Sequence, residues 1–194
     1  MHNLQARSTV TSHLVTKRTF PIATPSLRLA EIPLHGLIRI QGDGKASKLK
    51  ASIEAALGVA LPLPERSTVN GTTRLVWVGP NEWLVLCALK DEETILQNLT
   101  SSLANQFAAV TLVSDARVSF LASGSEAVVF LAKGCGIDVN VAAFPVDAAV
   151  TTRFASLPAM LLRQATFEYV LYFDVSMAGF LVEWLADAAE EFEA

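Results

Sequence analysis

Cysteine, histidine and charge are all scarce in this chain, and each shortage removes a class of function. The two cysteines, Cys87 and Cys135, supply neither a disulfide framework nor metal-ligand spacing. Two reduced thiols fit the cytoplasm. The three histidines are His2, His13 and His35, with no His-x-His, no pair at helical spacing and no carboxylate cluster beside them, so no metal site is expected. Net charge is −4 and the few gathered lysines, Lys45, Lys48 and Lys50, share one short helix face. Nucleic-acid binders carry a clustered basic surface, so that class is excluded as a reading. Long apolar runs are missing too. The nearest, "MLLRQATFEYVLYF", is broken by Arg163, Gln164, Thr166 and Glu168, so no membrane span is expected. The opening residues hold no apolar stretch of secretory length, which argues against a signal peptide.

What the chain does have is apolar bulk: 52% hydrophobic residues in 194, against 18% charged. That length supports one substantial domain or two small halves, and the apolar excess fits either surface reserved for a partner or a large core. Residues 1–21 show no periodicity and read as an N-terminal arm. The remainder reads as two similar passes, 22–105 and 106–194. In the first, "GLIRIQGDG" is a strand entering a glycine turn. "KASKLKASIEAALG" is a helix with Leu49, Ile53 and Leu57 inward and Gly58 as its C-terminal cap. A hairpin, "RLVWVGPNEWLVLC", follows. The pass closes on a helix from Asp91, with Glu92 and Glu93 at its positive end and Leu99 and Leu103 on its apolar face.

The second pass repeats the order: strand "RVSFLASGS", a short helix stopped by Gly134, apolar "SLPAMLLRQ", strand "FEYVLYF" and a last helix. For that helix we expect Ser176 as cap and an inward face of Met177, Phe180, Leu181, Trp184, Leu185 and Ala188. The fold class is therefore α+β, two similar halves with antiparallel sheets and packed helices, because the connecting turns are short.

Candidate chemistry is sparse. "QGDGKASK" imitates a phosphate loop, but a Walker loop needs glycine where Arg39 stands and a hydroxyl residue where Ala46 stands. A structural turn is the better reading, with anion binding at a glycine-led helix start as the alternative. In the hairpin, Pro80 and Asn81 suit the centre of a turn and Gly79 relieves crowding. Trp77, Trp83 and Trp184 are candidate core or partner-contact anchors; a ligand cage is the weaker alternative for the hairpin rings. Glu82, Asp115 and Arg117 are candidate polar anchors. Glu82 has no second carboxylate or histidine near it in sequence, and Ser114-Asp115-x-Arg117 reads as a turn or ion pair entering a strand. No catalytic constellation is visible.

The hairpin also resembles a known sequence pattern. "RLVWVGPNEWLVL" is similar to the W-L-G-P-D-E-W-L-L segment of the gamma subunits of heterotetrameric sarcosine oxidases. "LIRIQGD" before it, then "VSDARVSFLASGSEA", "LAKGCGIDV", "FPVDAAVTTR" and "SMAGFLVEWL" keep the family order across about residues 28 to 187. Departures fall at Asp147, where the pattern has glycine, at Val175 for arginine, at Met177 for an aromatic, and at Leu112 for aspartate.

The resemblance implies a fold like that of the folate-binding aminomethyltransferase of glycine cleavage. It implies a non-catalytic subunit serving assembly and stability in a complex that oxidatively demethylates sarcosine to glycine. The one-carbon unit would pass to tetrahydrofolate or leave as formaldehyde. FAD, FMN, NAD, zinc and tetrahydrofolate would be held by the flavin-bearing beta-type and alpha-type partner chains, with no cofactor in this one. The alternative is a free-standing folate-binding or one-carbon transfer protein.

Overall fold

The computed structural model describes residues 20–192. Its strands form two antiparallel sheets. The five-stranded sheet is built from β3 (Gly36–Gly42), β4 (Ser67–Asn70), β5 (Thr73–Gly79), β6 (Glu82–Cys87) and β7 (Ala108–Leu112), in the order β4-β5-β6-β3-β7. The six-stranded sheet uses β1 (Ile22–Ala23), β2 (Arg28–Glu31), β8 (Arg117–Ser123), β9 (Ala149–Phe154), β10 (Leu157–Ala165) and β11 (Glu168–Asp174), in the order β1-β2-β8-β11-β10-β9. Helices α1 (Ser47–Leu57) and α2 (Glu92–Leu103) belong with the first sheet; α3 (Ala127–Ala132) and α4 (Ala178–Ala189) belong with the second.

Two compact units result, and neither is contiguous in sequence. One comprises His35–Ser114 with Asp147–Thr151, here the Trp83 unit. The other, the Arg163 unit, comprises, among the described residues, 20–34, Asp115–Val146 and 152–192. This differs from the contiguous division at 22–105 and 106–194, for a physical reason. Strand β2, early in the chain, pairs with β8, with Arg28 opposite Ser123 and Glu31 opposite Phe120. Strand β7, which follows α2, turns back to pair with β3. Strand pairing, not chain order, sets the boundary. The expected N-terminal arm, 1–21, lies almost wholly outside the described residues.

The repeat is real at the level of topology. Stepping along the sheets, β4, β5, β6 and β3 correspond to β9, β10, β11 and β8, and β7 corresponds to β2.

In the Trp83 unit, period-two alternation puts Ile38, Ile40, Leu75, Trp83 and Val85 on one side of the sheet. They form one core with Leu49 and Ile53 of α1 and Leu99 and Leu103 of α2. Helix α1 ends as the sequence suggests: Gly58 adopts a left-handed φ of 63° and donates to the Glu54 carbonyl. A residue with a Cβ would be strained there.

In the Arg163 unit the core is aromatic. Phe154 packs edge-on to Trp184 at 4.9 Å and to Phe173 at 6.2 Å, while Phe130 meets Trp184 at 6.3 Å. Two expectations for α4 are corrected. Its buried face is Ala178, Leu181, Val182, Leu185, Ala186 and Ala189, whereas Phe180 is 51% exposed and Met177 is exposed too. The helix is apolar nearly all round, so two helical stripes compete and spacing alone cannot choose between them. Ser176 is not its cap: α4 starts from Met177 with no side-chain cap bond, and Asp174 caps the turn before it. A 3-10 turn over Val175–Met177 precedes α4, and the Asp174 carboxylate accepts from the Ser176 amide at 3.0 Å and its hydroxyl at 2.6 Å. Those bonds hold the Asp174 carboxyl below its ordinary pKa. Gly134 follows α3 without a left-handed φ; its role is close packing, since a Cβ there would stand 2.7 Å from the Trp184 ring.

Candidate functional site

Trp77 and Trp83 stand directly opposite each other on β5 and β6. Trp83 is 2% exposed within the aliphatic core, and Trp77 packs half-buried against the same cluster. Among the described residues the Trp83 indole N–H has no hydrogen-bond partner. Both rings on the hairpin therefore serve packing rather than forming an open cage. Trp184 holds the same kind of place in the other unit, against Phe130 and Phe154.

The glycine loop that imitates a phosphate site is filled by the hairpin tip. Gly79 pairs with Glu82, leaving Pro80 and Asn81 as the loop, and a register shift follows Trp77. The Gly42 amide donates to the Asn81 carbonyl at 3.1 Å, and the Gly44 amide to the Asn81 side-chain oxygen at 3.0 Å. A Cβ on Gly44 would lie 2.0 Å from the Pro80 carbonyl oxygen. The glycine that permits close approach is thus Gly44, not Gly79, around which a Cβ would meet open space. Amides that could have met an anion are already engaged.

Of the three polar anchors, Glu82 has a bonded partner and Asp115 and Arg117 lie on the surface. Glu82 accepts from the Gln41 side chain at 3.2 Å across β3 and β6. Asp115 lies in an exposed 3-10 turn, and Arg117 stands opposite Asp174 at the end of the β8–β11 ladder. Ser114, the first residue of that turn, is the buried one. It accepts from the Leu37 amide at 2.8 Å and donates to the Glu92 carboxylate. Cys87 lies nearby, where a Cβ on Gly36 would meet both its sulfur and the Glu92 side chain. Burial, helped by Glu92 and Asp91, pushes the Cys87 thiol up to about 11, so it is protonated and a poor nucleophile at neutral pH. Among the described residues no group of three or more His, Cys, Asp or Glu side chains is arranged to hold a metal ion.

Sequence reasoning passed over two polar clusters. Arg163, on β10, is 0% exposed. Its guanidinium donates to the carbonyls of Phe144 at 2.6 Å, Ala165 at 3.2 Å and Thr166, and lies 5.1 Å from the Tyr169 ring centre. Tyr169 in turn donates to the Val139 carbonyl at 3.0 Å, and burial raises its phenol pKa. The signal was present: one arginine inside a strand otherwise apolar enough to suggest a membrane segment. The second cluster joins Arg74 to Asp147 at 2.5 Å and to the Ser67 hydroxyl at 2.6 Å. Asp147 has a φ of 64°, a conformation that favours glycine. That explains the departure from the family pattern here: the carboxylate gains a guanidinium partner that glycine would lack.

The surface itself is apolar in places. Leu63, Val69, Leu89, Phe107 and Leu112 are exposed on the Trp83 unit, and Val129, Val141, Phe167, Met177 and Phe180 on the Arg163 unit. Apolar side chains scattered singly are normal on a folded surface, so this exposure alone marks no contact face. No helix among the described residues is long and apolar enough to cross a membrane.

This architecture belongs to the class of two-unit antiparallel α+β folds found in the aminomethyltransferases of glycine cleavage. The enzyme aminomethyltransferase T from Bartonella henselae superposes with a TM-score of 0.63 over 87% of this chain and 46% of its own, at 15% identity, a likeness of fold alone. The model of the sarcosine oxidase, gamma subunit family matches residues 41–191. The gamma subunit of Corynebacterium sp. strain U-96 is 31% identical over 147 residues, 74% of this chain and 70% of that one. Its counterpart from Arthrobacter sp. is 30% identical, covering 73% and 70%. In the crystal structure of heterotetrameric sarcosine oxidase from Corynebacterium sp. U-96, a chain aligns with a TM-score of 0.83 and 26% identity, covering 90% of this chain and 89% of that chain. The chain belongs to the sarcosine oxidase gamma subunit family.

Proposed function

We propose that this chain is a non-catalytic subunit that assembles and stabilises a sarcosine oxidase complex. In that complex sarcosine is oxidatively demethylated to glycine, and the one-carbon unit passes to tetrahydrofolate or leaves as formaldehyde. FAD, FMN, NAD, zinc and tetrahydrofolate sit on the flavin-bearing beta-type and alpha-type partners, in the cytoplasm. The observation that supports this reading best is the family match across both units, from residue 41 to 191. The fate of the polar groups supports it as well. Glu82, Ser114, Glu92, Arg74, Asp147 and Arg163 are engaged in bonds that hold the fold. Trp77, Trp83 and Trp184 act as rigid anchors behind the contact surfaces.

The test is co-expression with the remaining oxidase subunits of the same source. Retention of this chain in a sarcosine-oxidising complex is expected, and a chain that purifies alone at moderate salt refutes the role. Titration of the isolated chain with tetrahydrofolate adds a second arm. No heat is expected, and saturable heat at millimolar ligand would favour a folate-binding protein instead.

A further inference from the structure

The two outer strands of the five-stranded sheet are finished differently. At the β4 end, the segment Asp147–Ala149 covers the start of the strand: the Ser67 amide donates to the Asp147 carbonyl at 2.8 Å, Arg66 and Ala148 form a β-bridge, and the Ala149 amide donates to the Glu65 carbonyl at 3.0 Å. At the β7 end nothing comparable is present among the described residues. Because the Val113 amide donates to the Leu37 carbonyl at 2.8 Å, alternation along an antiparallel pair fixes which groups face inward. Ala109, Thr111 and Val113 point their backbone groups at β3. Val110 and Leu112 point theirs outward, and no bond to those groups is seen among the described residues. The Ala108 amide, which also faces away, is already bonded to the Gln106 carbonyl.

Exposed edges are normally guarded by lysine, proline, a bulge or brevity. Here the run from Thr94 to Ser114 contains no charged residue, no proline and no glycine. Ala109, Thr111 and Leu112 are exposed along it, and Phe107 at its start is 99% exposed. The inner side of the same strand is firmly backed, since Ala108 and Val110 pack on the aliphatic core. An uncharged edge whose outward donors and acceptors have no partner among the described residues, beside an exposed ring, is what strand addition uses.

We propose that an extended, uncharged segment of a partner oxidase subunit adds to β7 as a sixth strand, hydrogen-bonded to Val110 and Leu112 and packed on Phe107. This rests on the assembly role proposed above and assigns it a surface. A charged segment fits poorly, since the edge offers it no counter-charge on desolvation. A second copy of this chain fits in one register only. Two-fold pairing centred on Val110 needs the Ala108 amide that Gln106 already occupies. Centring on Leu112 sets Val110 opposite Ser114, which has left the strand for a 3-10 turn; centring on Thr111 does pair Val110 with Leu112, and that register is the rival that dimerisation of the isolated chain would reveal.

Val110→Pro is the discriminating variant. Proline is tolerated on an edge strand where its missing N–H faces outward, so the β3 ladder survives while one free donor is lost. The isolated variant should keep the wild-type circular dichroism, with a lower melting temperature because the Val110 side chain leaves the aliphatic core. Its affinity for the remaining subunits should fall about tenfold or more, the scale set by lost strand bonds and a displaced ring. Thr111→Lys, on the exposed side chain, is the second variant in case proline disturbs folding, and should weaken assembly as well. Hydrogen exchange on the wild type reads the contact directly: the Val110 and Leu112 amides exchange fast in the isolated chain and slow about tenfold or more in the complex. An assembled wild-type complex in which those two amides stay fast overturns the proposal and leaves the assembly role standing. A wild-type chain that never joins the complex removes the role itself. Dimerisation of the isolated chain with protection of Val110 and Leu112 would assign the edge to a second copy and also overturn the proposal.

Discussion

The Trp83 unit and the Arg163 unit share a strand order and differ in almost everything that fills it. One core is aliphatic around a single buried indole; the other is a network of phenylalanines around Trp184, with a buried guanidinium in its strand layer. Their matching strands β7 and β2 differ as well, because β2 carries β1 on its outer side, whereas β7 carries nothing among the described residues. The same topology is thus filled by aliphatic packing around one indole in one unit, and by aromatic packing plus a buried, hydrogen-bonded guanidinium in the other. Topology constrains which strands pair, and it leaves open how the space between them is filled.

The sharpest way to break the comparison is to remove each unit's central group. Arg163→Met keeps volume but orphans three carbonyls, each costing about 1–3 kcal/mol, so a loss of about 3–5 kcal/mol is expected in urea unfolding. Trp83→Ala should cost a similar ~3–5 kcal/mol through a cavity, with loss of assembly as a consequence. The conservative replacements separate the two. Trp83→Phe should cost only about 1 kcal/mol, since the indole N–H has no partner to lose. Arg163→Lys cannot reproduce the three-way fork and should stay near the methionine variant. Equal tolerance of both conservative changes would show that the units are held by the same kind of force.

A smaller effect is expected at the covered edge of the Trp83 unit. Asp147→Ala removes the Arg74 pair and leaves a Cβ at a left-handed φ, for a loss of about 1–2 kcal/mol. Asp147→Gly relieves the backbone and should cost less than the alanine variant. If glycine proves the worse of the two, relief of the left-handed backbone does not decide this position, since both variants lose the ion pair.

The mildest effect is in alkali. With the Cys87 thiol moved from 9.0 to about 11, it is protonated in both folded and unfolded chains below pH 9, and its contribution to stability is fully present there. Between pH 9 and 11 the unfolded chain releases the proton first, so stability falls as pH rises. Thermal melts of wild type and Cys87→Ala across that range should converge. Parallel curves would mean that the thiol is not buried as described.

Much of this was legible in the residues. Helix α1 was readable from Leu49, Ile53 and Gly58, the hairpin from Trp77 to Trp83, and the doubled order of elements from its turns, because all of these are local patterns. The pairings of β2 with β8 and β7 with β3 were not readable, since they join residues far apart in sequence and depend on the whole sheet. Arg163 was visible as an interruption of an apolar run. Its burial was not, because only the fold brings the Phe144 carbonyl to it. The face of α4 was misjudged where apolar residues surround the helix and leave periodicity without contrast.

The pairing of β2 also has a consequence during synthesis. Arg28–Glu31 leaves the ribosome long before β8, while His35–Ser114 emerges with most of its own sheet complete. Leu27 and Leu29, each 1% exposed in the finished protein, must wait in the open until Ser123 is made. An early strand held for a late partner is slow to settle and prone to wrong contacts. A nascent chain that stalls between these two points is therefore the form most in need of a chaperone.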